Sequence, residues 1–374
     1  MLYYTNSYAM AFSLASFFST KPTSVLGIDI GTSSIKVVQL RRERGRVVLE
    51  TYGAIALGPF AGVEIGRATA LPGDKIGEAL KEVIREANVT TNDAAIAIPY
   101  SSSLISILSL PAAVEKQLAQ VVPIEARKYI PVPINEVLLD WFVVGGDGKQ
   151  GDASGKIQVL LVAIHNETIA KFRSISSAAA LQTGFFEIEV FSSVRAALDH
   201  GIAPVAVVDM GAATTKFYVV ERGLIHESHI INHGSQDLTL AASRALGISV
   251  AQAEERKRKF GLSGSANSDQ PGAADLHKSL ELSLSPLMAE LSRTVTAYEA
   301  RTNQPLSALV FTGGGATLKG LKDFAQQKIQ TEIRLADPFG KTQAPAFLEQ
   351  ILKEAGPEFS VAVGLALRRL QEIG

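Results

Sequence analysis

The chain contains no cysteine among its 374 residues, which excludes disulfide frameworks, thiolate nucleophiles and Cys-ligated zinc or iron–sulfur sites. Excess charge is lacking too. The 36 basic and 37 acidic residues leave a formal net charge of −1, a balance that argues against a dedicated nucleic-acid surface. No uninterrupted apolar run reaches the about 18–20 residues needed to cross a bilayer. The first 22 residues, MLYYTNSYAMAFSLASFFSTKP, are apolar and aromatic, but Thr5, Asn6, Ser7 and Ser13 interrupt them. No Lys or Arg precedes Lys21, whereas a signal peptide starts on basic residues. Residues 1–23 are read as a disordered or weakly associating leader, with Met10 as an alternative start and Phe12, Leu14, Phe17 and Phe18 as the residues of any peripheral membrane contact. Two nucleotide motifs are missing as well. There is no GxxxxGK(S/T), and no GxGxxG follows a first strand, so neither a Walker-type nor a Rossmann site is expected.

What is present starts with enough apolar material for a large core. The composition is 47% hydrophobic and 20% charged, and the length exceeds the roughly 250–300 residues at which single cores usually divide. Two or more domains are expected. The strongest internal signal is a repeat: SVLGIDIGTSSIKVVQL at 24–40 and PVAVVDMGAATTKFYVV at 204–220. Asp29, Gly31 and Lys36 match Asp209, Gly211 and Lys216 in one register. Each copy predicts an apolar strand, a tight Asp-x-Gly turn and a second strand. Either copy alone reads equally as a plain β-hairpin whose turn uses Asp and Gly for backbone reasons. Two in register point to paired phosphate loops. Glycine at 31 and 211 lets backbone amides approach phosphate oxygens, and Thr32, Ser33, Ser34, Ala212, Thr214 and Thr215 complete the turns, the hydroxyl-bearing ones adding donors. Asp29 and Asp209 would hold a hydrated magnesium ion between them. A third glycine cluster, Gly313, Gly314 and Gly315 in ALVFTGGGATLKG, follows a strand and precedes a helix, as a ligand-approaching junction or a plain connector. His165, His226, His229 and His233 are read as surface or packing residues rather than a metal site.

In this order and spacing the three loops resemble those of the actin-like ATPase superfamily: GIDIGTSSIK the first phosphate loop, VVDMGAATTKF the second and LVFTGGGATLKG the adenosine loop. The resemblance covers all but the leader. It implies an α/β fold of actin-like (ribonuclease H-like) type, two domains closing over ATP and Mg2+. Lys36 joins the first loop in this picture. Glu189, in FEIEVFSSVRAAL, is similar to the acidic residue that positions water and metal in DnaK-type relatives, although the usual Asn-Glu-Pro-Thr around it is absent; it is the candidate catalytic residue. Glu254 and Lys257, in AQAEERKRKFG, resemble the Glu and Lys of bacterial actin homologues that reach ribose and adenine. A solvated charged helix face is the alternative for that stretch.

The middle of the chain distinguishes branches of the superfamily. IAIPYSSSLISILSLP reads as a strand, Val114, Leu118, Val121 and Val122 recur at helical spacing, Pro131 and Pro133 stop that helix, and EVLLDWFVV is extended again. After the polar loop 145–156, IQVLLVAIH leads to a helix with Asn166 as N-cap. A module of two strands, two helices and a loop inserted here is similar to the extra subdomain of FtsA and PilM proteins. PIEARKYIPVPINEVLLDW is especially similar to the PilM family, cytoplasmic components of type IV pilus inner-membrane complexes. The expected organisation is a leader at 1–23, a first actin-like subdomain at 24–99 and 184–203 with a C-terminal helix at 358–374, an inserted FtsA/PilM-type subdomain at 100–183, and a second actin-like domain at 204–357 with a small subdomain around 233–285.

The resemblance implies a cytoplasmic ATP-binding scaffold, peripheral to the inner membrane, that couples nucleotide state to the short cytoplasmic N-terminal peptide of a PilN-like membrane protein. It also implies contacts with other pilus inner-membrane and motor components, indirect membrane association, no nucleic acid, and at most slow ATP hydrolysis. Two alternatives stand beside it, an FtsA-like cell-division filament and a small-molecule kinase. The kinase would need a positioned carboxylate base near an acceptor hydroxyl.

Overall fold

The structure is a computed structural model, and it describes residues 23–144, 155–199, 201–263 and 271–373. Nearly all of the leader, with its proposed contact residues, and most of the 145–156 loop lie outside the described residues.

The chain opens with an antiparallel meander, β1 (Ser24–Ile30), β2 (Ser34–Glu43) and β3 (Arg46–Ala56), followed by α1 (Gly73–Glu86) and β4 (Asp93–Ile98). A small module comes next: β5 (Ser103–Pro111), α2 (Leu118–Ala126), β6 (Val137–Val144) and β7 (Lys156–His165). Its three strands form their own sheet in the order β5-β7-β6. Then α3 (Asn166–Ala178) leads into β8 (Gln182–Ile188), which completes a five-stranded sheet of order β3-β2-β1-β4-β8, and α4 (Glu189–Ala197) leaves it.

The second half repeats the plan. It contains β9 (Val205–Met210), β10 (Thr215–Glu221), β11 (Leu224–Ile231), α5 (Ser235–Leu246), α6 (Val250–Phe260) and the long α7 (Ala273–Thr302). It closes with β12 (Leu309–Thr312), α8 (Leu321–Lys328) and β13 (Ile333–Leu335), giving the sheet order β11-β10-β9-β12-β13. Finally α9 (Glu349–Ala355) and α10 (Ser360–Glu372) return to the first half. Each large sheet is thus an antiparallel three-strand meander extended by two parallel strands. The central β1 and β9 are covered on both faces, which is why VLGIDI and VAVVDM are nearly continuously apolar.

Separate cores follow from this layering. Ile76, Leu80 and Val83 of α1 and Ile169, Phe172 and Ile175 of α3 share one core with the first sheet. Helix α10 lies against Val25, Val38 and Leu40 in another. In the second half α7 supplies Leu280, Leu284, Leu287, Met288 and Leu291, buried with Phe217, Val219 and Phe311. The module has a core of its own, built on Leu108, Val122, Ala126, Val159 and Leu161, as an independently packed insertion requires.

Two local readings change. The run 96–111 is not one strand. Pro99 and a single 3-10 turn at Tyr100–Ser102 divide it into the end of β4, in the first sheet, and β5, in the module's sheet, so the module has three strands rather than two. Asn166 does not cap its helix, since it stands at the first helical position and its amide donates to the Asn135 carbonyl at 2.9 Å. Among the described residues no helix is long and apolar enough to cross a membrane.

Candidate functional site

The repeat seen in sequence is a repeat in geometry. In the first hairpin Asp29 sits opposite Lys36 across β1 and β2, and the Gly31 amide donates to the Ser34 carbonyl at 3.0 Å. In the second, Asp209 sits opposite Lys216 across β9 and β10, and the Gly211 amide donates to the Thr214 carbonyl, also at 3.0 Å. The side chains at the mouth of each hairpin line one cleft of about 1130 Å³ between the two halves. Asp29, Gly31, Thr32, Ser33, Ser34 and Lys36 face it from one side, Asp209, Gly211, Ala212, Thr214 and Lys216 from the other, and Glu189, Glu254, Lys257 and Gly313–Gly315 close it. Thr215 is the exception. It is fully buried and its hydroxyl donates to the His233 carbonyl at 2.7 Å, because successive residues of a strand point to opposite faces. Its expected role as a donor to the ligand is withdrawn.

Buried charge dominates the floor. Lys216 bridges Asp209 Oδ2 at 3.0 Å and Glu189 Oε2 at 2.8 Å, while Lys36 lies 3.8 Å from Asp29. Burial works against the Lys216 charge, but Asp209 and Glu189 outweigh it and hold the ammonium above the ordinary lysine range. Asp29 is the group left short. Burial pushes its carboxyl from 3.8 up to about 6; Lys36 pulls the other way, and Glu189 adds to the rise. Three carboxylates, Asp29, Asp209 and Glu189, thus share two lysines, so a polyphosphate entering here would need a cation with it. Among the described residues no group of three or more His, Cys, Asp or Glu could hold a metal by itself. A magnesium ion in this cleft would therefore draw most of its ligands from water and phosphate, which is that ion's habit. Lys216→Met should lower the stability of the ligand-free protein by about 3–5 kcal/mol, since it strands two buried carboxylates. Urea unfolding would measure this, and an unchanged midpoint would contradict the geometry.

Glycine shapes the third wall. Gly313 has φ +83°, and a Cβ there would fall 2.4 Å from Asp209 Oδ1, so only glycine lets this backbone pass the second hairpin. Gly314 has open space at the corresponding position, leaving backbone bare towards the cleft. On the far side Glu254 accepts from Lys257 at 2.7 Å, from the Thr239 hydroxyl at 2.6 Å and from Arg258 at 2.7 Å. Burial alone would raise this carboxyl, but Lys257 and the hydrogen bonds hold it at about 2. The pair is a fixed polar shelf on α6, with Lys257 also donating to the Ser235 carbonyl at 3.2 Å.

Several functional contacts were not legible beforehand. The segment 58–72 spans the cleft. Its Ala68 amide donates to Gln236 Oε1 at 3.1 Å, and Glu64 accepts from the Val250 amide at the start of α6 at 2.9 Å. The Tyr100 amide donates to Glu189 Oε1 at 2.6 Å. Lys216 alone had a signal, its match to Lys36 in the repeat.

A family model described as type IV pilus assembly protein PilM matches residues 27–370. The cell division protein FtsA of Streptococcus pneumoniae serotype 2 (strain D39 / NCTC 7466) is 24% identical over 83% of this chain and 75% of its own length. FtsA of Rhizobium meliloti (strain 1021) is 26% identical over 43% of this chain, a match that spans 39% of that protein. Among solved structures, a chain of a PilM-PilN type IV pilus biogenesis complex superposes with a TM-score of 0.76 at 23% identity, covering 94% of this chain and 99% of that one. MreB5 of Spiroplasma citri bound to ADP superposes with a TM-score of 0.51 at 10% identity, covering 94% and 96%. The fold is that of the actin-like ATPases, and the chain belongs to the type IV pilus assembly protein PilM family.

Proposed function

We propose that this chain is an ATP-binding scaffold of the type IV pilus assembly machinery, working at the cytoplasmic face of the inner membrane and binding the short cytoplasmic N-terminal peptide of a PilN-like protein. The observation that carries the nucleotide half is the pair of matching hairpins facing one another across a single cleft. Their turn amides and hydroxyls would hold the phosphates, and Asp29 and Asp209 would hold hydrated magnesium, which supplies charge neutralisation between phosphate groups. The glycine wall at 313–315 and the Glu254–Lys257 shelf would take the nucleoside.

Fast turnover is not part of the proposal. A general base must bring a lone pair within hydrogen-bond reach of the attacking water. Both oxygens of Glu189 are engaged, one by the Tyr100 amide and one by Lys216. Each oxygen keeps a second lone pair, but a carboxylate held at both ends is not free to swing towards a water, which points to slow cleavage at most.

The peptide half rests on the family and on the module's form. β6 is an edge strand of the three-stranded sheet, with Phe142 exposed. Burial raises the Asp140 carboxyl, and the Trp141 amide that donates to it and the charge of Arg368 on α10 reduce that rise without cancelling it. An extended peptide laid between β6 and α10 could add main-chain hydrogen bonds and seat apolar side chains. The other pilus inner-membrane and motor components are proposed as further partners through the same assembly.

The test is capture of the purified protein on an immobilised N-terminal peptide of the PilN-type protein, with and without Mg-ATP. Capture that changes with nucleotide is the expected result. Absence of both peptide capture and ATP affinity would overturn the proposal.

A further inference from the structure

One residue at the root of the inserted module touches three parts of the molecule. Tyr100 follows Pro99 at the end of β4, in the 3-10 turn that carries the chain out of the first sheet. Its amide donates to Glu189 Oε1 at 2.6 Å. Its hydroxyl is hydrogen-bonded to Ser228 Oγ on β11, in the opposite half of the clamp. Its carbonyl accepts from the Ser103 hydroxyl at 2.9 Å, where β5 and the module's sheet begin.

These contacts close a ring. Glu189 Oε2 is bound to Lys216 of β10, and β10 is paired with β11, on which Ser228 stands opposite Tyr218. Tyr100 to Glu189, to Lys216, across one strand pair to Ser228, and back to Tyr100 is therefore a continuous circuit that crosses between the halves twice. Lys216 is also the partner of Asp209, so the circuit is in direct contact with one of the two aspartates proposed for magnesium. A shift of one half against the other cannot occur without changing the Tyr100–Ser228 contact or the Glu189 geometry, and Tyr100 passes that displacement directly to Ser103.

We infer that Tyr100 is a positioning residue that holds Glu189 in place and ties the root of the inserted module to the opposite half of the clamp, so that nucleotide-driven closure is felt in the module. This rests on the reading of the cleft as a Mg-ATP site. It adds the route by which that site reaches the module: a short path of hydrogen bonds through one residue. Coupling of this kind requires that the ligand bind two arrangements of the clamp unequally, and the circuit identifies what distinguishes them.

Amide hydrogen exchange read by mass spectrometry, with and without Mg-ATP, tests this on the full chain and on Tyr100→Phe and Ser228→Ala. Each variant deletes one side of the same hydrogen bond and leaves the Tyr100 amide and the cleft residues intact. In the wild type, Mg-ATP should slow exchange both in the hairpins at 29–36 and 209–216 and in β5 at 103–111. In both variants the hairpins should still slow, while β5 loses most of its response. The double variant should match either single one, because the two substitutions remove one interaction. Hairpins that do not respond in the wild type overturn the nucleotide reading and the inference with it. Hairpins that respond while β5 does not, or variants that behave as the wild type, overturn the assignment of Tyr100 alone. Faster exchange spread across the whole chain in both variants marks a merely structural residue and likewise overturns it.

Discussion

Asp29→Asn will raise the melting temperature of the nucleotide-free protein at pH 7 and remove its magnesium-dependent affinity for ATP. The two effects have one cause. Burial lifts the Asp29 carboxyl from 3.8 to about 6, so the folded protein binds this proton more tightly than the unfolded chain does. Stability from this group is complete below the unfolded value, falls as pH rises from about 4 to about 6, and stays low above that. At pH 7 the wild type therefore carries a buried anion that its surroundings disfavour by ~3 kcal/mol. Asparagine keeps the shape and drops the charge, which should raise the midpoint by a few degrees, with the gain fading towards pH 4. The same substitution deprives magnesium of an anionic ligand, so ATP should bind no better with magnesium than with a chelator. Stability lost in exchange for function is common at binding sites. Asp209→Ala should lose the magnesium-dependent affinity as well, and with its fold intact, since Lys216 keeps Glu189 as a partner. Unchanged magnesium-dependent ATP affinity in both variants would contradict the paired-loop account.

The second large effect is on folding. Gly364→Ala should destabilise the protein by about 3 kcal/mol or more, because a Cβ there would lie 1.9 Å from the Ser192 carbonyl oxygen on α4. Gly27→Ala should do the same from the other side, with its Cβ 1.9 Å from the Ala362 carbonyl oxygen on α10. These two glycines allow α10 to lie directly on β1 and α4, and backbone atoms cannot step aside as a flexible side chain can. Gly77→Ala is the control. It is a buried glycine of α1 whose added Cβ would meet only the Ala178 Cβ, at 3.4 Å, and the helix gains from losing a glycine. Denaturant midpoints that fall for positions 27 and 364 and hold for 77 are the expected pattern; equal midpoints for all three would refute the close-packing argument.

How much of this could be read from the sequence depends on whether a feature is local. The hairpins were legible because strand, turn and strand lie within one short consecutive stretch, 24–43 in the first copy and 205–221 in the second, and occur twice in one register. The glycine wall was legible because LVFT runs straight into Gly313. Thr215 was misread because a run of two threonines hides which one a strand turns inward. Pro99 was visible, but whether its two flanking apolar runs share a sheet depends on partners elsewhere. The Tyr100 contacts to Glu189 and Ser228 and the bridge from Ala68 to Gln236 join positions 89, 128 and 168 residues apart. No periodicity encodes such distances; the first arises when β4 and β8 pair in one sheet, the other two when the halves meet across the cleft.

The central claim is that two opposed hairpins hold ATP through magnesium, and a calorimetric titration tests it most directly. ATP is titrated into the wild-type protein once with magnesium chloride and once with EDTA. Saturable one-to-one binding in magnesium that is lost in EDTA is the predicted result. Absence of binding in magnesium, or equal affinity under both conditions, would contradict it.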